Sequence, residues 1–216
     1  MSRSQKNWDK GCIFRETFQN ELGVRKNGGV PASGVVINNG VRLIGKTITY
    51  KSLIKAIPYT LLLDMTYYQI LGSSHYGVFY LQTLGNFQNA LLVNDGNPSD
   101  RIIDYSSDFS VAGGVDTNAN APVFPNAYSF FKNKRILIGM TVNSLTSTSM
   151  FCYSNKGNFY ITKSAGFTSK INRGNFILGQ TSIDMFINRM ELYNRALSQS
   201  DMQNLYKQSL YTDPTK

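Results

Sequence analysis

The chain is poor in the residues from which most catalytic and metal sites are built: among its 216 residues there is one histidine, His75, and two cysteines, Cys12 and Cys152. A lone histidine with no Gly-x-Ser-x-Gly elbow gives no basis for a serine-type triad, and one histidine with two distant cysteines gives no spaced ligand set for zinc. Two cysteines in a chain of this size do not form a disulfide framework, so both are read as buried free thiols. Acidic pairs at strand spacing are also missing. Glycan-cleaving sandwiches place two carboxylates on alternate positions of one strand, and neither Glu-x-Asp nor Glu-x-x-x-Glu occurs here; Asp184 is isolated and Glu16 stands beside Arg15. A glycoside hydrolase is therefore the weaker alternative.

No apolar run reaches the ~18 residues that span a bilayer, and the first thirty residues hold no uninterrupted apolar segment of the secretory kind. The sole Asn-x-Ser/Thr triplet, Asn97-Pro98-Ser99, is disabled by its proline. These absences fit a bacterial or viral protein on a virion surface or outside the cell, made without a signal peptide.

Charged residues make up only 16% of the chain while hydrophobic residues make up 42%, and the polar remainder is rich in Asn, Ser, Thr, Gly and Tyr. That is the chemistry of strands and turns. The formal charge of +9 is dispersed. Its one tight cluster, Lys132-Asn133-Lys134-Arg135, comes with no nucleic-acid motif, so no nucleic-acid partner is expected. Residues 1–10 read as a basic arm carrying Trp8, suited to docking on a larger assembly or a second copy, and 11–216 as one domain.

Short apolar or alternating runs separated by turn signals predict strands at 12–18, 34–37, 41–43, 47–50, 59–69, 76–83, 90–93, 102–105, 135–142, 149–153, 158–163, 176–180 and 184–193. Asn39-Gly40, Asn155-Lys156-Gly157 and the 94–98 stretch supply turns, and such short links imply antiparallel pairing. The aperiodic stretch 106–126 reads as a long loop. The expected fold is all-β, a two-sheet antiparallel jelly-roll sandwich with one short C-terminal helix. That helix opens at Ser198, with Asp201 three residues on and Met202, Leu205, Tyr206 and Leu210 on one face.

The segment from Ile187 to Ser198, with its core Tyr193-Asn194-Arg195-Ala196-Leu197-Ser198 and the later Leu205-Tyr206 pair, resembles the closing motif of laminin G-like domains of the concanavalin A-like lectin/glucanase superfamily. The charges at Arg189 and Glu191 are exchanged relative to the family pattern, and Asn188 replaces an aspartate. Arg135 to Asn143 resembles an upstream family strand without its Trp and His residues. The resemblance implies a jelly roll used for carbohydrate binding or adhesion, found also in phage virion proteins, and sometimes a calcium ion at a rim loop.

Two residue sets are candidates on their own chemistry. Tyr67, Tyr68, Tyr76 and Tyr105 lie near polar turns, where aromatic faces can stack on sugars. Asp95, Asn97, Ser99 and Asp100, near Asp104 and Asp108, place oxygens in a tight loop and are weighed as a Ca2+ site against ordinary Asx-turns. The function expected is a non-catalytic binding or adhesion module for surface glycan or a protein partner, such as a capsid decoration or fibre-associated protein; a purely structural virion subunit is the alternative.

Overall fold

The structure is a computed structural model that describes residues 10–73, 76–84, 87–94, 101–108, 111–113, 126–144, 146–164 and 174–211. In chain order the elements are β1 (Cys12–Glu16), α1 (Glu21–Lys26), β2 (Val30–Pro31), β3 (Val41–Ile44), β4 (Ile48–Tyr50), β5 (Tyr59–Ile70), β6 (Tyr76–Leu84), β7 (Phe87–Asn94) and β8 (Arg101–Asp108). They continue with β9 (Val111–Gly113), α2 (Ala127–Phe131), β10 (Arg135–Ser144), β11 (Ser147–Tyr153), β12 (Asn158–Ser164), β13 (Asn175–Leu178), β14 (Ile183–Tyr193) and α3 (Gln199–Tyr211).

The strands form two antiparallel sheets. The first runs β1-β14-β5-β10-β11-β12, with β3 pairing the other half of β14; the second runs β2-β4-β13-β6-β7-β8-β9. Period-two alternation decides what fills the space between them. On β5, Leu61, Leu63, Met65 and Tyr67 enter the main core, as do Ile136, Ile138, Met140 and Val142 on β10. From the second sheet come Ile48, Tyr50, Phe79, Tyr80, Leu91, Val93, Phe176 and Leu178. Close strand packing is enforced at Gly139, where a Cβ would lie 2.0 Å from the Leu61 carbonyl oxygen. Any side chain there must push β10 away from β5.

Helix α3 makes a third layer. It lies on the outer face of the first sheet, where Met202, Leu205 and Leu197 form a second apolar cluster with Leu62, Leu137, Phe151, Tyr153 and Tyr193. Its start is a reciprocal capping box: the Asp201 N–H donates to Ser198 Oγ (3.2 Å) and the Ser198 N–H donates to Asp201 Oδ2 (3.0 Å). Burial pushes the Asp201 carboxyl up, but the Ser198 donors and Arg195 outweigh it and hold the group below its ordinary value.

The expected all-β sandwich and capped C-terminal helix are present. Three local expectations change. Residues 34–37 form no strand; only Ile37 bridges Val41, and Val36 is exposed. Within the expected loop 106–126, residues 106–108 pair with 111–113 as the β8–β9 hairpin, Asn126 immediately precedes α2, and 109–110 and 114–125 lie outside the described residues. Helix is less rare than expected, because α1 and α2 are also present. The α1 helix is capped by Asn20, whose Oδ1 accepts from the Gly23 N–H at 2.9 Å, but buries only Val24. One inward residue is too little to register as a helical stripe. As expected, no disulfide joins the cysteines: Cys152 is buried, whereas Cys12 is only partly so.

Candidate functional site

The aromatic candidates are not brought together. Tyr67 is a core residue rather than a ligand contact: it is fully buried, stacks on Tyr128 with centroids 5.5 Å apart, and its hydroxyl donates to the Tyr128 carbonyl at 2.6 Å. Its neighbour Tyr68 is half-buried and, by alternation, on the outer face of the first sheet. Tyr76 is 50% exposed at the start of β6 in the second sheet, so it and Tyr68 face opposite sides of the sandwich. The Tyr105 backbone pairs with Ala90 on β7; its side chain lies outside the described residues. Asp95, Asn97, Ser99 and Asp100 lie outside them too. Among the described residues no group of three His, Cys, Asp or Glu side chains could hold a metal ion.

Around Tyr68 the outer face carries a layer of ion pairs. Asp64, Asp184 and Glu191 are each at most 3% exposed. A buried carboxylate is costly unless it is paired and hydrogen-bonded, and each of these is. Arg135 grips Asp64 with two bonds of 2.9 Å, and Asn188 Nδ2 adds a third at 3.3 Å. Arg42 grips Asp184 with bonds of 3.1 and 3.0 Å. Glu191 accepts from Arg15 Nε at 2.6 Å and from the Tyr193 hydroxyl at 2.9 Å, and Arg189 Nε lies 3.5 Å from it. Asn188 thus belongs to the Arg135–Asp64 cluster and the exchanged Arg189–Glu191 pair to a second cluster with Arg15 and Tyr193.

Arg42 is also centred 4.8 Å over the Tyr68 ring. Its hydrogen bonds and charge attraction to Asp184 raise the guanidinium above its ordinary value, while its side chain stays 53% exposed. The two-point grip and the stacked ring fix the guanidinium plane, so its outward donors are held in place before any ligand arrives. Such a group can donate to a sugar hydroxyl or carboxylate. The acids below it have their oxygens committed to guanidinium, amide or phenol donors rather than turned into a groove.

A second feature lies at one end of the sandwich. A cavity of about 460 Å³ opens between the 51–58 connection and the ends of β1 and β14, lined chiefly by Ile13, Phe14, Leu53, Ile57, Tyr59 and Leu192. The connection is anchored by buried Gln82: its Nε2 donates to the Ile54 carbonyl at 3.0 Å and its Oε1 accepts from the Ile54 N–H at 3.3 Å. The side-chain amide thus acts as a one-residue strand.

Neither feature is legible from the sequence as a site. The one usable sign of the first is a set of isolated opposite charges inside apolar strands, Arg42 between Val41 and Leu43 and Asp184 between Ile183 and Met185.

The fold defines a class, the two-layer antiparallel β-sandwich. No protein-family model and no curated protein matches the chain. Among solved structures it is similar to the botulinum neurotoxin serotype D binding domain, with 14% identity, a TM-score of 0.65 and 93% of this chain covered against 51% of that one. It is likewise similar to the binding domain of Paraclostridial Mosquitocidal Protein 1, at 16% identity and TM-score 0.65, covering 94% and 53%. The serotype D ligand-binding domain in complex with N-acetylneuraminic acid gives 13% identity and TM-score 0.61, covering 93% and 51%. At these identities the likeness establishes a shared fold, and this chain spans about half the length of those domains.

Proposed function

We propose that the chain is a non-catalytic binding module that recognises surface glycan on the outer face of its first sheet, at Tyr68 and Arg42. The observation that carries this reading is the preorganised Asp184–Arg42–Tyr68 unit, an exposed guanidinium fixed on both a carboxylate and an aromatic ring. The binding of N-acetylneuraminic acid by a domain of similar fold supports it, as does the likeness of Tyr193 to Ser198 to the laminin G-like closing motif. The proposed place of action is a virion or cell surface.

A glycan array screened with the full chain tests it. Tyr68→Ala and Arg42→Met should each weaken the bound glycans about tenfold or more, roughly the 1.4 kcal/mol of one good contact, while Tyr76→Ala, on the opposite face, should not. Undiminished glycan binding in both variants would place the site elsewhere. No glycan binding by the wild type would favour a protein partner or a purely structural virion role.

A further inference from the structure

We propose that the cavity at the 51–58 end of the sandwich binds a free single-chain carboxylate, with its hydrocarbon inside and its carboxylate on Lys55. The cavity is independent of the glycan reading, because it lies at the other half of β14 from Arg42 and Tyr68.

Three observations converge. The first is chemistry: the lining is mostly apolar, and among the described residues Lys55 is its one charged side chain, with no acidic residue to neutralise it. Such a site disfavours sugars, most of whose hydroxyls would lose water without gaining partners, and suits an apolar body with one anionic end. The second is size. A cavity of ~150 Å³ takes a benzene ring, so 460 Å³ has room for about three such units, or a chain of roughly twelve to sixteen carbons. The third is preorganisation. Ile54 is held at both its N–H and its carbonyl by Gln82, and Tyr59 and Leu192 are fixed in paired strands, so the cavity stands open without a ligand. Its rim leaves Ile13 57% exposed, apolar surface that a bound chain would cover.

The test is isothermal titration of the full chain with octanoate, decanoate, dodecanoate and tetradecanoate, each below its micellar concentration, with dodecanol as the uncharged comparison. One carboxylate should bind per chain, with affinity rising about fourfold per added methylene until the cavity is full. Lys55→Gln should weaken dodecanoate about tenfold and leave dodecanol unchanged. Ile13→Trp and Ala56→Trp, both at exposed rim positions, should fill the cavity and abolish binding of both ligands with the thermal midpoint retained. Non-saturable binding, dodecanol as tight as dodecanoate, or full binding by both tryptophan variants would overturn the proposal.

Discussion

Replacing Thr60 by valine removes one hydroxyl and almost no volume, yet that hydroxyl holds three hydrogen bonds at once. Thr60 Oγ1 accepts from the Leu197 N–H at 3.0 Å, donates to the Arg195 carbonyl at 2.9 Å and lies 2.9 Å from Thr141 Oγ1, whose hydroxyl then donates to it. The group is saturated, and it ties the segment leading into α3 to the first sheet. In the variant, the Leu197 N–H and the Thr141 hydroxyl are left buried without this partner, each at about 1–3 kcal/mol. The half-exposed Arg195 regains water at little cost. We expect a loss of about 3 kcal/mol by urea unfolding at unchanged m. For a chain of this size that is a fall in Tm of roughly 6–12 °C. The double variant Thr60→Val with Thr141→Val removes one orphaned hydroxyl and should be more stable than the sum of the singles by about 1 kcal/mol. A single-variant loss under about 1 kcal/mol would show that this hydroxyl does not tie the segment leading into α3 to the sheet, and strict additivity would show that it is not coupled to Thr141.

Two further outcomes follow from burial. Arg135→Met leaves Asp64 beneath the sheet surface with the neutral Asn188 amide in place of a charged partner and should cost about 3–5 kcal/mol, whereas Arg42→Met, at the exposed β3 edge, admits water to Asp184 and should cost about 1 kcal/mol or less. Chemical denaturation of both variants checks the order, and equal losses would refute it. Burial pushes the Cys152 thiol well above its ordinary range, so a disulfide reagent at pH 8 should label Cys12 alone in the native protein and both cysteines in denaturant; native labelling of two thiols would contradict the packing.

The long strands are legible because their apolar runs end at clear turns. In β5 the expected bounds lie within one residue of the observed ones, yet the inward parity is hidden. Leu61, Leu62 and Leu63 are all buried, since α3 covers part of the outer face, so the run reads as apolar on both sides. Asp64 is the usable clue. A carboxylate set outward on a core strand puts Thr66 and Tyr68 on its own face and sends Tyr67 into the core. The ion pairs are not legible. Arg42 meets Asp184, Arg135 meets Asp64 and Arg15 meets Glu191 only through registers between strands far apart in the chain. Gly34 to Ile37 fails for the opposite reason, an apolar local pattern with no neighbouring strand to pair beyond one bridge.

The most recognisable stretch of the sequence has a structural task, which is to hold the fold closed. Tyr193 donates to Glu191, Arg195 Nε donates to the Lys10 carbonyl at 2.7 Å and its Nη1 reaches Asp201 at 3.2 Å, and Leu197 packs beneath α3. Every one of these contacts is internal, linking the first described residues to the last helix. The outer face of the first sheet is therefore divided: α3 and the motif cover one half, and the other keeps the arginine–carboxylate layer with Tyr68 open to solvent. Substitutions in the two halves should consequently separate. Those at Thr60, Tyr193 or Leu197 should act chiefly on stability, and those at Tyr68 or Arg42, on the proposed glycan reading, chiefly on ligand affinity, because Arg42 keeps an exposed outer side while it grips Asp184.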